Sequence, residues 1–187
     1  MPASIADNLM WIILCLLIVE AGGVVFLLLC YKKPQQGQAL VRTGLGGRQV
    51  SFSGLIIIPL LQRGEFLDIT LKRLVVERRG QQALTSKDGQ RFDVTAAFFV
   101  RVKPDAQAVL KAVQTSGIQG ASDPEALHAR FGVQFSEALE AVSKRHNFEE
   151  LNDREKFKDQ LMSALGSDMD AYTLDVIAID RLARQQE

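Results

Sequence analysis

From Leu9 to Cys30 the chain is apolar almost without interruption, and no other feature restricts its fold as much. The run holds 22 residues. At ~1.5 Å rise per residue a helix of that length reaches roughly 33 Å, against a hydrocarbon core of about 30 Å. Its single ionisable side chain is Glu20. A soluble core helix of this length would carry a polar face, so the run reads as a membrane span. A cleaved signal peptide would need a basic leader, a shorter apolar run and a small-residue cleavage site. Here Asp7 precedes the run, and Lys32 and Lys33 come directly after it. That asymmetry predicts an uncleaved anchor with the N-terminus outside and the bulk of the chain in the cytoplasm. Trp11 and the two lysines mark the flanks of the span.

Charge and cysteine usage narrow the possibilities for the rest of the chain. All 22 basic residues lie beyond the span, facing 20 acidic ones, a formal balance of +2 that does not suit a dedicated nucleic-acid binder. Cys15 and Cys30 both sit within the span, roughly 22 Å apart on a helix, which is too far to pair. Cys30 reads as a small apolar residue rather than an acylation site. The spacing contains no metal-ligand cluster and no cofactor motif.

Glu20 lies mid-span, where a charged side chain costs on the order of 2.5–3.5 kcal/mol. Two readings remain open: a tolerated neutral acid facing nothing in particular, or a group facing a partner helix. Gly22 and Gly23 would let such a helix approach. Beyond Pro34, Ala39–Arg42 and Gln49–Phe52 read as strands joined by a turn through Gly44-Leu45-Gly46-Gly47. That loop opens no helix and has no Lys-Ser/Thr after it, so it is not a phosphate loop. Leu55 to Leu61 is a second apolar run, too short to cross a bilayer. It reads either as a buried strand ending at Pro59 or as a segment whose Leu55, Ile56, Ile57 and Ile58 contact the leaflet beside the anchor.

Phe66–Leu71 and Leu74–Glu77 are extended. Asp88-Gly89 signals a hairpin. The strand after it alternates, with Phe92, Val94, Ala96, Phe98, Val100 and Val102 on one face and Arg91, Asp93, Thr95, Phe99 and Arg101 on the other. After Pro104, the positions of Ala106, Val109, Leu110 and Val113 predict a short amphipathic helix ending near Gly117, with a loop from there to Ser122. Asp123-Pro124 starts a longer helix whose buried stripe is Leu127, Phe131, Phe135, Leu139 and Val142. Lys144, Arg145 and His146 close it. Phe148–Leu151 is a connector, and Asn152 with Glu155 predicts a capping box for a helix burying Phe157, Leu161 and Leu165. Leu174–Ile179, apolar at every position but Asp175, predicts a strand covered on both faces.

This order of elements resembles the SPFH or band-seven family of stomatins, prohibitins, flotillins and the bacterial HflK and HflC proteins. The strongest likeness is to the flotillin branch. Val41, Gly44, Gly46-Gly47, Val50, Gly54 and Pro59 resemble the flotillin opening. Thr85-Ser86-Lys87-Asp88-Gly89, the alternating strand with Pro104-Asp105, Phe148-Glu149-Glu150-Leu151, the Arg154–Leu165 helix and the final strand resemble the later part of the flotillin domain. The resemblance implies an α+β fold, with one N-terminal transmembrane helix and then an SPFH domain of antiparallel sheet and packed helices. The organisation expected is a tail at 1–8, a transmembrane helix at 9–31, a juxtamembrane linker at 32–37, the SPFH domain at 38–182, and at 183–187 the start of a C-terminal helix, read as a truncated coiled coil. The family further implies assembly into large rings or cages, and in some members an NfeD-like membrane partner.

An enzyme reading needs a nucleophile oriented by a base in a site that excludes water. The two histidines, His128 and His146, stand near no such motif, and Glu149-Glu150 and Asp168/Asp170 read as solvated carboxylates. What the resemblance implies is a bacterial inner-membrane scaffold of flotillin type, contacting lipid, itself and an NfeD-like protein, and the residues add no expectation of a catalytic residue, metal or cofactor. The alternative is a regulator of a membrane protease in the manner of prohibitins and HflK/HflC.

Overall fold

The computed structural model describes the backbone of residues 3–185 and the side chains of residues 9–185. In chain order the elements are α1 (Ala3–Cys30), β1 (Tyr31–Lys32), β2 (Gln38–Gly44), β3 (Gln49–Ser51), β4 (Leu55–Ile56), β5 (Gln62–Asp68), β6 (Lys72–Arg78), a 3₁₀ turn (Gly80–Gln82), β7 (Leu84–Thr85) and β8 (Arg91–Val102). Next come α2 (Ala106–Gly120), α3 (Pro124–Ser143), α4 (Phe148–Asn152), α5 (Arg154–Leu165), β9 (Asp168–Met169) and β10 (Tyr172–Arg184). Among the described residues all strand pairings are antiparallel, and they form three sheets: β1-β4, β3-β2-β5, and β6-β8-β10-β9 with β7 also on β8.

The alternation of β8 builds the core. Phe92, Val94, Ala96, Phe98, Val100 and Val102 are all buried on one face. The stripe Leu127, Phe131, Phe135, Leu139 and Val142 of α3 is buried with them, and Phe98 stacks on Phe135 with ring centroids 4.2 Å apart. α3 begins as Asp123-Pro124 predicts, with the Asp123 carboxylate accepting the Ala126 N–H at 3.1 Å and proline in the first turn. Ala39, Val41 and Leu67 of the smaller sheet join the same core, and α2 packs against β3, β5 and β8. The small residues Ala108 and Ala112 make that close packing feasible.

Several local expectations change. In α2 the buried positions are Ala108, Val109 and Ala112, while Ala106 and Leu110 are half-buried. Gly117 (φ +73) kinks the helix, which then continues to Gly120 through the stretch expected to be a loop. The capping box falls five residues early, with the Glu150 carboxylate accepting the Asn147 N–H at 3.3 Å. Asn152 ends α4, and α5 is capped by Asp153, a carboxylate and so a stronger acceptor than an amide. Glu155 pairs instead with Lys158 at 2.7 Å.

β10 is longer than predicted and carries irregularities between Leu174 and Val176 and between Ile179 and Arg181. Each inserts a residue and shifts the alternation. Tyr172, Leu174, Ile177 and Ile179 therefore point inward while Val176 is exposed, so the strand is not covered on both faces. At the C-terminus, Ala183 and Arg184 pair with Asp93 and Phe92 rather than starting a helix. β8 still offers backbone partners there, and Gln185 N–H reaches Arg91 O at 3.0 Å. The remainder of that expected segment, Gln186 and Glu187, lies outside the described residues.

Candidate membrane-contacting site

α1 is regular through Gly22-Gly23, and its segment Leu9–Cys30 has a mean hydropathy of 2.9, with Leu9–Leu29 exposed and Cys30, its last residue, buried against the domain. By length and composition it can cross a bilayer. Trp11 and Lys32 bracket about 30 Å of rise, the thickness of the hydrocarbon core. Glu20 is exposed on the helix surface. At 100° per residue Gly23 falls near Glu20 and Gly22 falls on the opposite side, so of the two glycines only Gly23 shares the Glu20 face. No atom lies within 4 Å of where a Cβ on either glycine would sit, apart from the helix's own neighbouring backbone.

The span does not run into a free linker. Tyr31 and Lys32 pair with Ile56 and Leu55, and the Ile57 N–H donates to Cys30 O at 2.8 Å. The Tyr31 hydroxyl donates to Ser53 O at 3.3 Å. Gly54 (φ +137) makes this possible: a Cβ there would lie 2.5 Å from the Tyr31 hydroxyl. The stretch 32–37 turns at once, with Gln38 N–H on Gln35 O at 3.0 Å and Pro34 buried. The end of the helix is thus keyed to the small sheets.

Around this foot, apolar side chains face outward. Of the four residues predicted to contact the leaflet, Ile56 and Ile58 are exposed and Leu55 is half-buried. Ile57 leaves the set: it is 3% exposed and packs where Gly64 has no side chain. Leu60, 96% exposed, and Leu61 extend the patch. Leu45, at the β2–β3 hairpin tip, is joined to them by its N–H on Leu61 O at 3.1 Å, and Phe52 is exposed beside the Tyr31–Ser53 contact. Sequence reasoning misses Leu45 and Phe52. An apolar residue between turn glycines, where a polar one is expected, is the available signal for Leu45.

Five of the titratable groups weighed for chemistry have other partners. His128, exposed, has Nε2 2.9 Å from Val75 O. His146 Nδ1 faces Glu150 at 3.1 Å, and this hydrogen bond, with one from the Asn147 N–H, holds the Glu150 carboxyl below its usual range. Asp168 is likewise lowered, by its hydrogen bond to Lys103 at 2.6 Å, and Asp170 pairs with Lys111.

An apolar helix long enough to cross a bilayer, locked to an antiparallel α+β domain with an apolar skirt at the junction, describes the class of membrane-tethered α+β proteins. The chain belongs to the SPFH domain / Band 7 family, whose model matches residues 32–184. It is 34% identical over 170 residues to the flotillin family inner membrane protein YqiK of Escherichia coli (strain K12). That match covers 90% of this chain and 30% of YqiK, so the chain spans less than a third of that relative's length.

Proposed function

We propose that the protein is a membrane-anchored scaffold of flotillin type rather than an enzyme. In this reading α1 crosses the bacterial inner membrane once, with its N-terminus outside and the SPFH domain on the cytoplasmic side. Residues 32–37 serve as the junction, and the domain proper runs from 38 to 182. Copies then assemble side by side, enclosing or segregating a patch of membrane. Lateral contacts of modest strength become effective through multiplicity once the span confines every copy to one surface.

The observation that carries this reading is the apolar skirt of Leu45, Phe52, Ile56, Ile58, Leu60 and Leu61 around the foot of α1. Exposed apolar side chains concentrated at one end of a domain mark a membrane or protein contact. Here the short β1–β4 pairing holds them beside the apolar helix, which supports a domain seated on the leaflet. Likeness to a flotillin family inner membrane protein supports the same location. The Glu20/Gly23 face suits a small membrane partner of the NfeD-like kind.

Affinity purification from native membranes, with identification of copurifying proteins, tests the proposal. Recovery of further copies of the chain with a small NfeD-like membrane protein is expected. Recovery of a membrane protease as the main partner would overturn the scaffold reading in favour of protease regulation.

A further inference from the structure

We propose that a cleft at the foot of the span binds the phosphate of an anionic phospholipid. This rests on the membrane-anchored reading above and names the lipid class that the anchored domain selects.

The cleft is an open depression of about 320 Å³, lined by the last turn of α1 together with β1, Ile57, Pro59 and β5. Leu29, in the last turn of α1, and Pro59 give it apolar walls, and Ile57 contributes buried apolar surface. Gly64 closes it from below: a Cβ at that position would fall 1.9 Å from Ile57 Cδ1, so only glycine lets the isoleucine seat there. Lys32 from β1 and Arg63 from β5 line the same space, as does Gln62. Among the described residues both cations are exposed and neither forms an ion pair within 4.0 Å. Glu65 is the one acidic side chain in the lining.

The wider charge distribution agrees. From Tyr31 to Leu67 the chain carries five basic residues (Lys32, Lys33, Arg42, Arg48, Arg63) and one acidic residue, Glu65. Residues 68–187 carry 17 basic and 19 acidic residues. A nearly neutral protein has therefore placed its excess of positive charge in the segment that directly follows the span. Cations at that height meet the headgroup region, where an anionic leaflet attracts them. A free phosphate would satisfy Lys32 and Arg63 but would leave the Leu29 wall unused. A phospholipid places its glycerol and upper acyl chain along that wall and its phosphate between the two cations. A zwitterionic lipid offers the same phosphate together with a cation of its own, which the net positive cleft disfavours.

The test uses the full chain in nanodiscs of equimolar phosphatidylglycerol and phosphatidylcholine, released for native mass spectrometry to count retained lipids. Wild type is expected to retain phosphatidylglycerol preferentially. Lys32→Gln and Arg63→Gln should each lower the preference roughly fivefold, the effect of one basic residue at an anionic surface, and the double variant should abolish it. Arg145→Gln, exposed beyond the end of α3 and outside the cleft, should behave as wild type. A double variant that stays in the carbonate-resistant membrane fraction yet keeps the preference would overturn the cleft and leave the anchor standing. Carbonate extraction of the wild type would overturn both. Displacement of phosphatidylglycerol by millimolar inorganic phosphate would overturn the lipid assignment in favour of a free anion.

Discussion

Gly54→Ala should uncouple the span from the domain without unfolding the domain. Gly54 has φ +137, where an L side chain is strained by about 1–3 kcal/mol. The added methyl would meet the Tyr31 hydroxyl at 2.5 Å, Tyr31 Cζ at 2.8 Å and the Lys32 carbonyl at 3.1 Å. Tyr31 must move, losing its hydrogen bond to Ser53 at a cost of roughly 0.5–1.5 kcal/mol. Together these destabilise the junction by about 2–4 kcal/mol. The β1–β4 ladder pairs only two positions, and neither Cys30 nor Ile57 belongs to the main core, so the loss stays local. The reporter is the Ile57 amide, bonded to Cys30 O. Its hydrogen exchange in the micelle-bound full chain should accelerate roughly 30- to 700-fold, at tenfold per ~1.4 kcal/mol. The amides of β8 should keep their protection. Gly47→Ala is the control: its φ is +82, but nothing lies within 4 Å of the added methyl, so Ile57 should exchange as in wild type. Unchanged Ile57 exchange in Gly54→Ala, or a parallel acceleration of every core amide, would refute the reasoning.

Phe135→Ala removes a fully buried ring stacked on Phe98 and should cost about 3–5 kcal/mol, read as a lower urea midpoint, whereas the exposed Val133→Ala should change it by about 0.5 kcal/mol or less. Asp68 gives the stability a sign at acid pH: partial burial raises its pKa, but the hydrogen bonds from Lys72 and Thr70 outweigh it, so the folded-state value lies below 3.8. Its contribution is therefore full above the unfolded value and is lost as the pH falls through the folded one. Asp68→Asn should flatten that acid limb of a Tm-versus-pH curve, and an unchanged slope would contradict the assignment. Glu20→Leu should weaken recovery of the membrane partner while leaving α1 membrane-integrated; unchanged recovery would exclude a partner on the Glu20/Gly23 face.

Elements whose signals are local were legible in the sequence. β8 could be read because its alternation is uninterrupted for six apolar positions, and α3 because its cap, proline and stripe all agree. α1 needed only length and hydropathy. The run Leu55–Leu61 was ambiguous because hydropathy alone cannot distinguish a buried strand from a surface facing lipid. Its outcome is decided by pairing of Leu55 and Ile56 with Lys32 and Tyr31, more than 20 residues earlier in the chain, and by Gly64, which draws Ile57 inward. The bulges of β10 were hidden for a related reason. An inserted residue shifts the period without changing composition, so Val176 looked as buried as Ile177. The cap displaced from Asn152 to Asp153 reflects competition between adjacent side chains that both suit the role, and the geometry of α4 decides it.

Self-assembly is the central claim, and particle mass tests it most directly. The full chain, extracted from native membranes in a mild detergent and weighed particle by particle, should give one population of many copies with a defined stoichiometry. A monomer at concentrations where the membrane-bound protein is abundant would contradict a scaffold built from this chain.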